Sequence, residues 1–319
     1  MLVLSEEEKK KIKIFAGPSS QDLAKKVSED LEMDLNLVKM NRFSDGEVFI
    51  KPEESVRGCK VFVIQSTSNL VNESIMELLV FIDALRRASA EEIIAIIPYY
   101  GYARQDRKAA ARQPITAKLV ADLLMTAGIN RIITVDLHAQ QIQGFFDIAT
   151  DDLTFIPLIG NYFEEKFTEN DDVVVVSPDH GGTVRARSLA EILHSPIAII
   201  DKRRPMPNVS EVMNIIGEIE GKTVIMIDDI IDTAGTITNA ATALSQRGAK
   251  DIYVSCTHAI LSGPAVERIK NSPIKEVVTT NTIPQKHTEL LNLKALSVAP
   301  LIGEAIMRIY QNAPVSEMF

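Results

Sequence analysis

The stretch VIMIDDIIDTAGT, residues 224–236, decides the fold class of this chain. Four apolar residues typical of a β-strand lead into Asp228 and Asp229, which are followed by Asp232 and a turn of small residues. The next segment, ITNAATALSQRG, has the composition of a helix. A strand that enters a helix through a tight turn is the repeating unit of α/β proteins with parallel sheets. We therefore expect an α/β fold.

The same alternation of apolar runs and helical patterns continues along the chain. The runs lie at residues 61–66, 92–100, 131–139, 173–179, 222–229 and 251–259. Two of them belong to similar segments, because AGINRIITVDLHA (127–139) matches RGAKDIYVSCTHA (247–259) at Gly128 and Gly248, at Ile132 and Ile252, and at the final His-Ala pair. This repeat predicts two similar domains, each with a mainly parallel sheet flanked by helices.

We expect the first domain to span residues 1–150 and the second 151–319, with the last residues packing back on the first domain. The boundary is predicted near DDLTFIPL (151–158), where turn-forming acids precede a proline and a new helix, GNYFEEKF. A chain of 319 residues is long enough for two such cores.

Composition excludes several classes of protein. The net charge of −9 argues against general nucleic-acid binding, although basic residues are concentrated at 102–112 and 202–204. Cys59 and Cys256 are far apart in the sequence and indicate a reducing compartment. The chain shows neither the apolar region of a signal peptide nor a span of 18 uncharged residues, so we expect a cytoplasmic protein without a membrane segment.

In open α/β sheets, ligands bind beyond the carboxyl ends of the strands. The opening stretch has such an end. Backbone N–H groups of 233–236 and the helix dipole favour an anion, and the carboxylates of Asp228 and Asp229 can accept hydrogen bonds from paired ribose hydroxyls. These two features predict a sugar phosphate with a bound cation. The alternative is a helix cap whose acids merely complement the dipole.

Other strand ends allow functional and structural interpretations side by side. Asp179, in SPDHGGTVRA, is placed as a Mg²⁺ ligand, although the same segment suits an ordinary cap and turn. His138 is a polar residue at a strand end, where a histidine is often structural, and Mg²⁺ prefers oxygen. GKT (221–223) lacks the glycine at position 216 that a phosphate-binding P-loop requires, and it enters a strand, so we reject that motif.

Three loop segments complete the pattern. KRRPMPNVSEVMN (202–214) predicts an exposed, mobile loop, which is either an anion-binding lid or a solvated turn. FSDGEVFIKP (43–52) predicts the tip of a hairpin with Asp45-Gly46 as the turn. YARQDRK (102–108) either grips a polyphosphate or begins a solvated helix.

Taken together, these motifs resemble one family along essentially the whole chain. RFSDGE, YARQDRK, TVDLHAQQIQGFFD, SPDHGG, DKRRPMPNVSEVMN and IDDIIDTAGT occur in the order and spacing of the ribose-phosphate diphosphokinases, which synthesise phosphoribosyl pyrophosphate (PRPP). The resemblance implies two phosphoribosyltransferase-like domains and transfer of the diphosphoryl group of Mg-ATP to the C1 hydroxyl of ribose 5-phosphate, with release of AMP. It also implies the class activated by inorganic phosphate and inhibited by ADP, in homohexamers that share the ATP site between subunits.

The same resemblance implies residue roles. For ATP it implies Phe43, Asp45, Gly46, Glu47, Arg104 and Gln105. For ribose 5-phosphate it implies Arg204, Asp228, Asp229, Asp232, Thr233, Ala234, Gly235 and Thr236. Lys202 and Arg204 are implied as the catalytic lid pair, and His138 and Asp179 as the sites of Mg²⁺.

Two other functions compete with this interpretation. A phosphoribosyltransferase shares the DDIIDTAGT-type turn, but the doubled domain, the KRR segment and the FSDGE turn disfavour it. A non-catalytic regulatory relative of the synthase would be expected to lose lid and metal residues, which are all present here.

Overall fold

The computed structural model describes residues 5–68, 70–168, 171–203, 212–285 and 292–318, without the side chains of Glu6, Lys202, Arg203, Val212 and Met213. These residues fall into two compact units. Unit 1 holds the described residues of Met1–Leu153, Thr282–Pro284 and Ser297–Phe319, and unit 2 those of Thr154–Asn281 and Gln285–Leu296. The sequence suggested a division after residue 150, whereas the units divide after Leu153, and Ser297–Phe319 groups with unit 1.

The secondary structure alternates along both units. The helices are α1 (Glu6–Lys11), α2 (Gln21–Asp30), α3 (Val71–Arg87), α4 (Thr116–Ala127), α5 (Ile156–Lys166), α6 (Thr183–Ile192), α7 (Gly235–Gln246), α8 (Ala265–Lys270) and α9 (Ala299–Tyr310). The strands are β1 (Ile12–Ala16), β2 (Val38–Arg42), β3 (Val48–Pro52), β4 (Lys60–Ile64), β5 (Glu92–Ile97), β6 (Arg131–Val135), β7 (Ala149–Leu153), β8 (Val173–Ser177), β9 (Ile197–Arg203), β10 (Val212–Ile216), β11 (Thr223–Ile231), β12 (Asp251–Ala259), β13 (Ile274–Thr280) and β14 (Leu293–Leu296). None of the described helices is long and apolar enough to cross a membrane.

Unit 1 contains a parallel sheet with the strand order β1-β4-β5-β6-β7. Its central strands are apolar on both faces, as expected for strands covered by helices. Phe15 and Phe81, both fully buried, meet edge to face at 5.5 Å and help to fill the core. β2 and β3 form a separate antiparallel hairpin that packs on α3. The predicted hairpin tip at 43–47 is therefore confirmed.

Unit 2 contains a seven-stranded sheet with the order β10-β9-β8-β11-β12-β13-β14. All neighbouring strands run parallel except β9 and β10. The buried residues Val224, Met226, Ala241 and Leu244 belong to a core of this unit, which joins β11 to α7. The predicted α/β class, with parallel sheets flanked by helices, is confirmed.

The internal repeat holds at the start of the paired strands and fails at their ends. Ile132 and Ile252 are each the second residue of their strand, β6 and β12. β6 ends at Val135 because the next residue, Asp136, has a left-handed backbone with φ 43°. β12 continues to Ala259, paired with the end of β11. His138 therefore lies in an exposed loop, whereas the equivalent His258 is buried in a strand.

Two sequence interpretations need correction. Asp151 and Asp152 were expected in a turn, but both belong to β7. Their cross-strand partners explain this placement, since Arg131 forms an ion pair with Asp151 and the Thr134 hydroxyl donates to Asp152 at 2.8 Å. A neutral or oppositely charged partner on the neighbouring strand makes an acidic residue acceptable in a sheet.

The second correction concerns the segment 202–214, which was expected to be a loop throughout. The strand β9 extends through Lys202 and Arg203, and the antiparallel strand β10 begins at Val212. Backbone pairing therefore continues further into this segment than its polar composition suggests. Residues 204–211, on which the predicted mobile lid depends, lie outside the described residues.

Candidate active site

The sheet of unit 2 has a point where the strand order reverses. From β8 the chain moves outward to β9 and β10, and it then returns to the other side of β8 to form β11 and the strands after it. Loops that leave the carboxyl ends of two such adjacent strands diverge and open a crevice, which is where α/β sheets bind ligands. Asp179 lies in the segment after β8, and the predicted residues 228–236 cover the end of β11, the turn that follows it and the start of α7.

The turn after β11 is shaped for an anion. Residues 232–234 connect β11 to α7, and Ala234 has a left-handed backbone with φ 58°. The first N–H groups of a helix have no acceptor within the helix, so those of Gly235 and Thr236 are available to a ligand. The Thr233 and Thr236 side chains are exposed beside them. An αL residue before a helix N-terminus brings successive N–H groups together in a concave anion-binding site.

The two aspartates of β11 form a compact acidic pair. Asp229 is buried, and its N–H donates to the Asp228 carboxylate at 2.9 Å. Burial and the neighbouring Asp229 carboxylate raise the pKa of Asp228 above its usual range. Arg185, on α6, places one guanidinium nitrogen 3.6 Å from a carboxylate oxygen of each aspartate. Carboxylates held in this way can accept two hydrogen bonds from a ligand with adjacent hydroxyls.

Asp179 lies in the turn between β8 and α6. Its carboxylate accepts the N–H of Gly182 at 2.9 Å, and its own carbonyl accepts the Ser177 hydroxyl at 2.6 Å. Its charge contributes to the raised pKa of Asp228, which places the two carboxylates in one electrostatic environment. His180 is exposed, with Nε2 3.9 Å from Asp201. Asp179 therefore caps the loop and still belongs to the acidic crevice.

In unit 1, the hairpin tip presents an aromatic ring and two acids. The N–H of Phe43 donates to the carbonyl of Glu47 at 2.8 Å, and the N–H of Glu47 donates to the Asp45 carboxylate at 3.1 Å. Gly46 has φ 97°, a backbone conformation that favours glycine. Phe43 remains 58% exposed although its ring contacts Phe49 edge to face. The turn is thus ordered by its own hydrogen bonds and offers an open aromatic face.

The other candidate residues of unit 1 lie on two loops that contact each other. Arg104 and Gln105 are exposed on the loop after β5, where the Gln105 side chain accepts the Thr116 hydroxyl at 2.5 Å. Gln141, three residues after His138, donates to Asp106 at 2.6 Å. This bond links the loop with Arg104 and Gln105 to the loop with His138.

The described residues do not include every predicted site residue. The backbone of Lys202 lies in β9, its side chain is outside the described part, and Arg204 lies outside it altogether. The structure also adds polar residues that the motifs did not single out: Arg185 beside the acidic pair, and Ser262 and Arg268 behind the turn. Arg185 belongs to a quoted motif, whereas the other two contact the turn from a segment that has no recognisable pattern.

Residues 12–128 match the family model for the N-terminal domain of ribose phosphate pyrophosphokinase, and residues 201–319 match the phosphoribosyl synthetase-associated domain. The chain belongs to the ribose-phosphate pyrophosphokinase family. A ribose-phosphate pyrophosphokinase of Bacillus subtilis is 60% identical over 311 residues, which cover 97% of this chain and 98% of the relative. One from Bacillus cereus is 61% identical over 309 residues, 97% of each chain.

A solved structure agrees with this family. The phosphoribosylpyrophosphate synthetase of Mycobacterium smegmatis is similar with a TM-score of 0.89 and 42% sequence identity, over 95% of this chain and 99% of that one. The match extends over both units, so the resemblance inferred from the motifs is confirmed at the level of the family.

Proposed function

We propose that the protein transfers the diphosphoryl group of Mg-ATP to the C1 hydroxyl of ribose 5-phosphate, which yields PRPP and AMP. The observation that carries the proposal is the acidic pair Asp228–Asp229 followed by the left-handed turn at Ala234, at the reversal point of the unit 2 sheet. A ligand with two adjacent hydroxyls and a phosphate a few bonds away fits this sequence of groups. Identities near 60% to ribose-phosphate pyrophosphokinases support the same reaction.

In this proposal the turn holds ribose 5-phosphate. Asp232, Thr233, Ala234, Gly235 and Thr236 bind the 5-phosphate through backbone N–H groups and hydroxyls. Asp228 and Asp229 accept the ribose hydroxyls. Separation along the ligand limits the repulsion between their carboxylates and the phosphate, because the interaction of charges falls with distance.

The remaining roles follow the residues of unit 1 and the KRR segment. Phe43 stacks on adenine, Asp45, Gly46 and Glu47 contact the nucleoside, and Arg104 with Gln105 contacts ATP. Lys202 and Arg204 stabilise the charge that develops on phosphate oxygens as the diphosphoryl group moves. Catalysis of this kind depends on positioning and cations and has little need of a strong protein base.

Mg²⁺ is the metal we propose, and the donor chemistry fits it. Asp179 supplies a hard carboxylate oxygen in the crevice of unit 2. Within the part of the chain that is described, no group of three or more His, Cys, Asp or Glu side chains could hold a metal by itself. Mg²⁺ commonly takes one or two carboxylates and completes its shell with water and substrate phosphates. Asp179 is therefore proposed as a Mg²⁺ ligand in unit 2. His138 is proposed as the Mg²⁺ site in unit 1. Bound there, the ion would neutralise phosphate charge.

Regulation and assembly are part of the same proposal. By its family, the protein is proposed to be activated by inorganic phosphate and inhibited by ADP, and to act as a cytoplasmic homohexamer. A native mass spectrum of the purified protein tests the assembly, and initial rates with added phosphate or ADP test the two effectors.

One assay separates this function from its competitors. With ATP, Mg²⁺ and ribose 5-phosphate, the protein should release AMP at a rate that depends on ribose 5-phosphate. A phosphoribosyltransferase would consume PRPP with a nucleobase instead, and a non-catalytic relative would form no AMP. Absence of AMP from the assembled, metal-supplied protein would refute the proposal.

Replacement of Asp228 by asparagine should weaken ribose 5-phosphate binding by about 1–3 kcal/mol and leave ATP binding nearly unchanged, since an accepting oxygen becomes a donor that faces a hydroxyl. Isothermal titration with each substrate measures the two effects. The fold should not be weakened, because the substitution removes a carboxylate whose raised pKa reflects burial beside Asp229. Asp172→Asn is the matched control. Asp172 pairs with Lys222 and directly precedes β8, so it lies at the amino ends of the strands, away from the candidate site at their carboxyl ends. Equal losses for both substrates would contradict the assignment.

A further inference from the structure

The start of the turn at 232–234 is fixed by hydrogen bonds from the segment that follows β12. The N–H groups of Ile260 and Leu261 both donate to the carbonyl of Ile231, at 2.9 and 3.1 Å. The N–H of Ser262 donates to the carbonyl of Asp232 at 3.0 Å, and its hydroxyl donates to the Asp232 carboxylate. The end of β11 and the first residue of the turn are thus fixed by a neighbouring part of the same unit.

Arg268 extends this support to the centre of the turn. It lies on α8, and its Nη1 donates to the carbonyl oxygen of Thr233 at 2.9 Å. The same nitrogen would lie 3.2 Å from a Cβ atom placed on Gly235. The guanidinium therefore bonds to Thr233 and lies close to Gly235, the residues on either side of Ala234.

The bond to Thr233 sets the direction of one N–H group. In a trans peptide the C=O and N–H groups point in opposite directions, and the structure has no cis peptide among its described residues. Because the carbonyl of Thr233 points toward Arg268, the N–H of Ala234 points away from Arg268. Ala234 also needs such support, since its φ of 58° is unfavourable for a residue with a side chain.

We infer that Arg268 is a positioning residue for the phosphate-binding turn. It fixes the Thr233–Ala234 peptide so that the Ala234 N–H faces the anion, and its positive charge lies behind the turn and adds to the attraction for phosphate without contact with the ligand. The inference rests on the proposed function of 232–236 as the 5-phosphate site. It adds to that function a residue 32 positions after Thr236, which the strand-end motifs do not contain.

The inference is tested by three substitutions on the assembled enzyme. Arg268→Ala removes donor and charge, Arg268→Gln keeps a neutral donor, and Arg268→Lys keeps the charge with a less directional donor. We expect the KM for ribose 5-phosphate to rise about 10-fold or more in Arg268→Ala, because a hydrogen bond from a charged group is lost. The Gln and Lys variants should show smaller increases, and the KM for ATP should change less than twofold in all three.

The matched control is Lys270→Ala, which removes a basic residue from the same helix and should leave both KM values at wild-type levels. A general structural role would raise both KM values together or lower kcat alone, and either result would overturn the inference. If Arg268→Ala does not fold, as judged by circular dichroism, the Gln and Lys variants carry the test. Unchanged KM values for ribose 5-phosphate in those variants would also overturn it.

The failure of this inference can be told apart from failure of the proposed function. If the wild-type protein releases no AMP from ATP and ribose 5-phosphate, the proposed function is wrong and the inference falls with it. If the wild-type protein is active and the Arg268 variants keep its KM for ribose 5-phosphate, only the positioning role is wrong.

Discussion

Replacement of Lys202 or Arg204 by alanine should lower kcat by about 100-fold or more, with little change in the melting temperature. Both residues belong to the KRR segment 202–204, in a chain whose net charge is −9. Movement of a diphosphoryl group spreads negative charge over phosphate oxygens, and cations that reach those oxygens only in the transition state act mainly on kcat. Steady-state rates of AMP release at saturating substrates measure the effect.

Arg203→Ala is the matched control for these variants. Like the other two substitutions, it removes one positive charge from the segment 202–204. The resemblance assigns a role to Lys202 and Arg204 but none to Arg203. If the segment acted only through its total charge, all three variants would lose activity alike. Wild-type turnover in both Lys202→Ala and Arg204→Ala, or an equal loss in Arg203→Ala, would contradict a specific catalytic pair.

The strands that could be predicted are mainly apolar and are buried on both faces of the sheet. The apolar run before Asp228 and the paired starts of β6 and β12 were identified because buried parallel strands are continuous apolar runs. The ends of these strands depend on single backbone conformations, such as the left-handed Asp136 that stops β6. No period in the sequence reports such a conformation, so the different positions of His138 and His258 could not be foreseen.

Polar strands were missed for a related reason. Asp151 and Asp152 have the composition of a turn, but β7 pairs with β6, where Arg131 and Thr134 bind the two acids. Cross-strand pairs are contacts between residues distant in sequence, and they override local propensity. The extension of β9 through Lys202 and Arg203 follows the same rule, since its backbone pairs with β10.

The candidate site also has one part that the sequence could indicate and another that it could not. The turn at 232–236 and the Asp228–Asp229 pair were recognisable because the groups proposed to bind the ligand are contiguous in the sequence. Arg185 and Arg268 reach that stretch from α6 and α8, and their contacts exist only once the sheet is assembled. The contiguous candidate residues could therefore be selected from the sequence, whereas the residues that contact them from other elements could not.

We also expect the ATP site to be shared between two copies of the chain. The hairpin tip at 43–47 presents a Phe43 ring that is 58% exposed, and it belongs to unit 1, whereas the turn that we propose to bind phosphate belongs to unit 2. A two-fold interface would exchange the two hairpin tips reciprocally, so that each site takes its nucleotide-binding turn from the partner. The exposed ring of Phe43 would then be covered by the adenine of the bound ATP.

Mixing of two inactive variants tests this arrangement. Asp45→Ala has a damaged turn and an intact lid, and Lys202→Ala has the reverse. If each site combines the turn of one copy with the lid of the other, a mixed pair has one site with both intact parts and one with neither. Random reassembly should then restore about a quarter of the wild-type sites by this symmetry argument. AMP release no higher than in the unmixed variants, with mixed assembly confirmed by native mass spectrometry, would place the turn in the site of its own subunit.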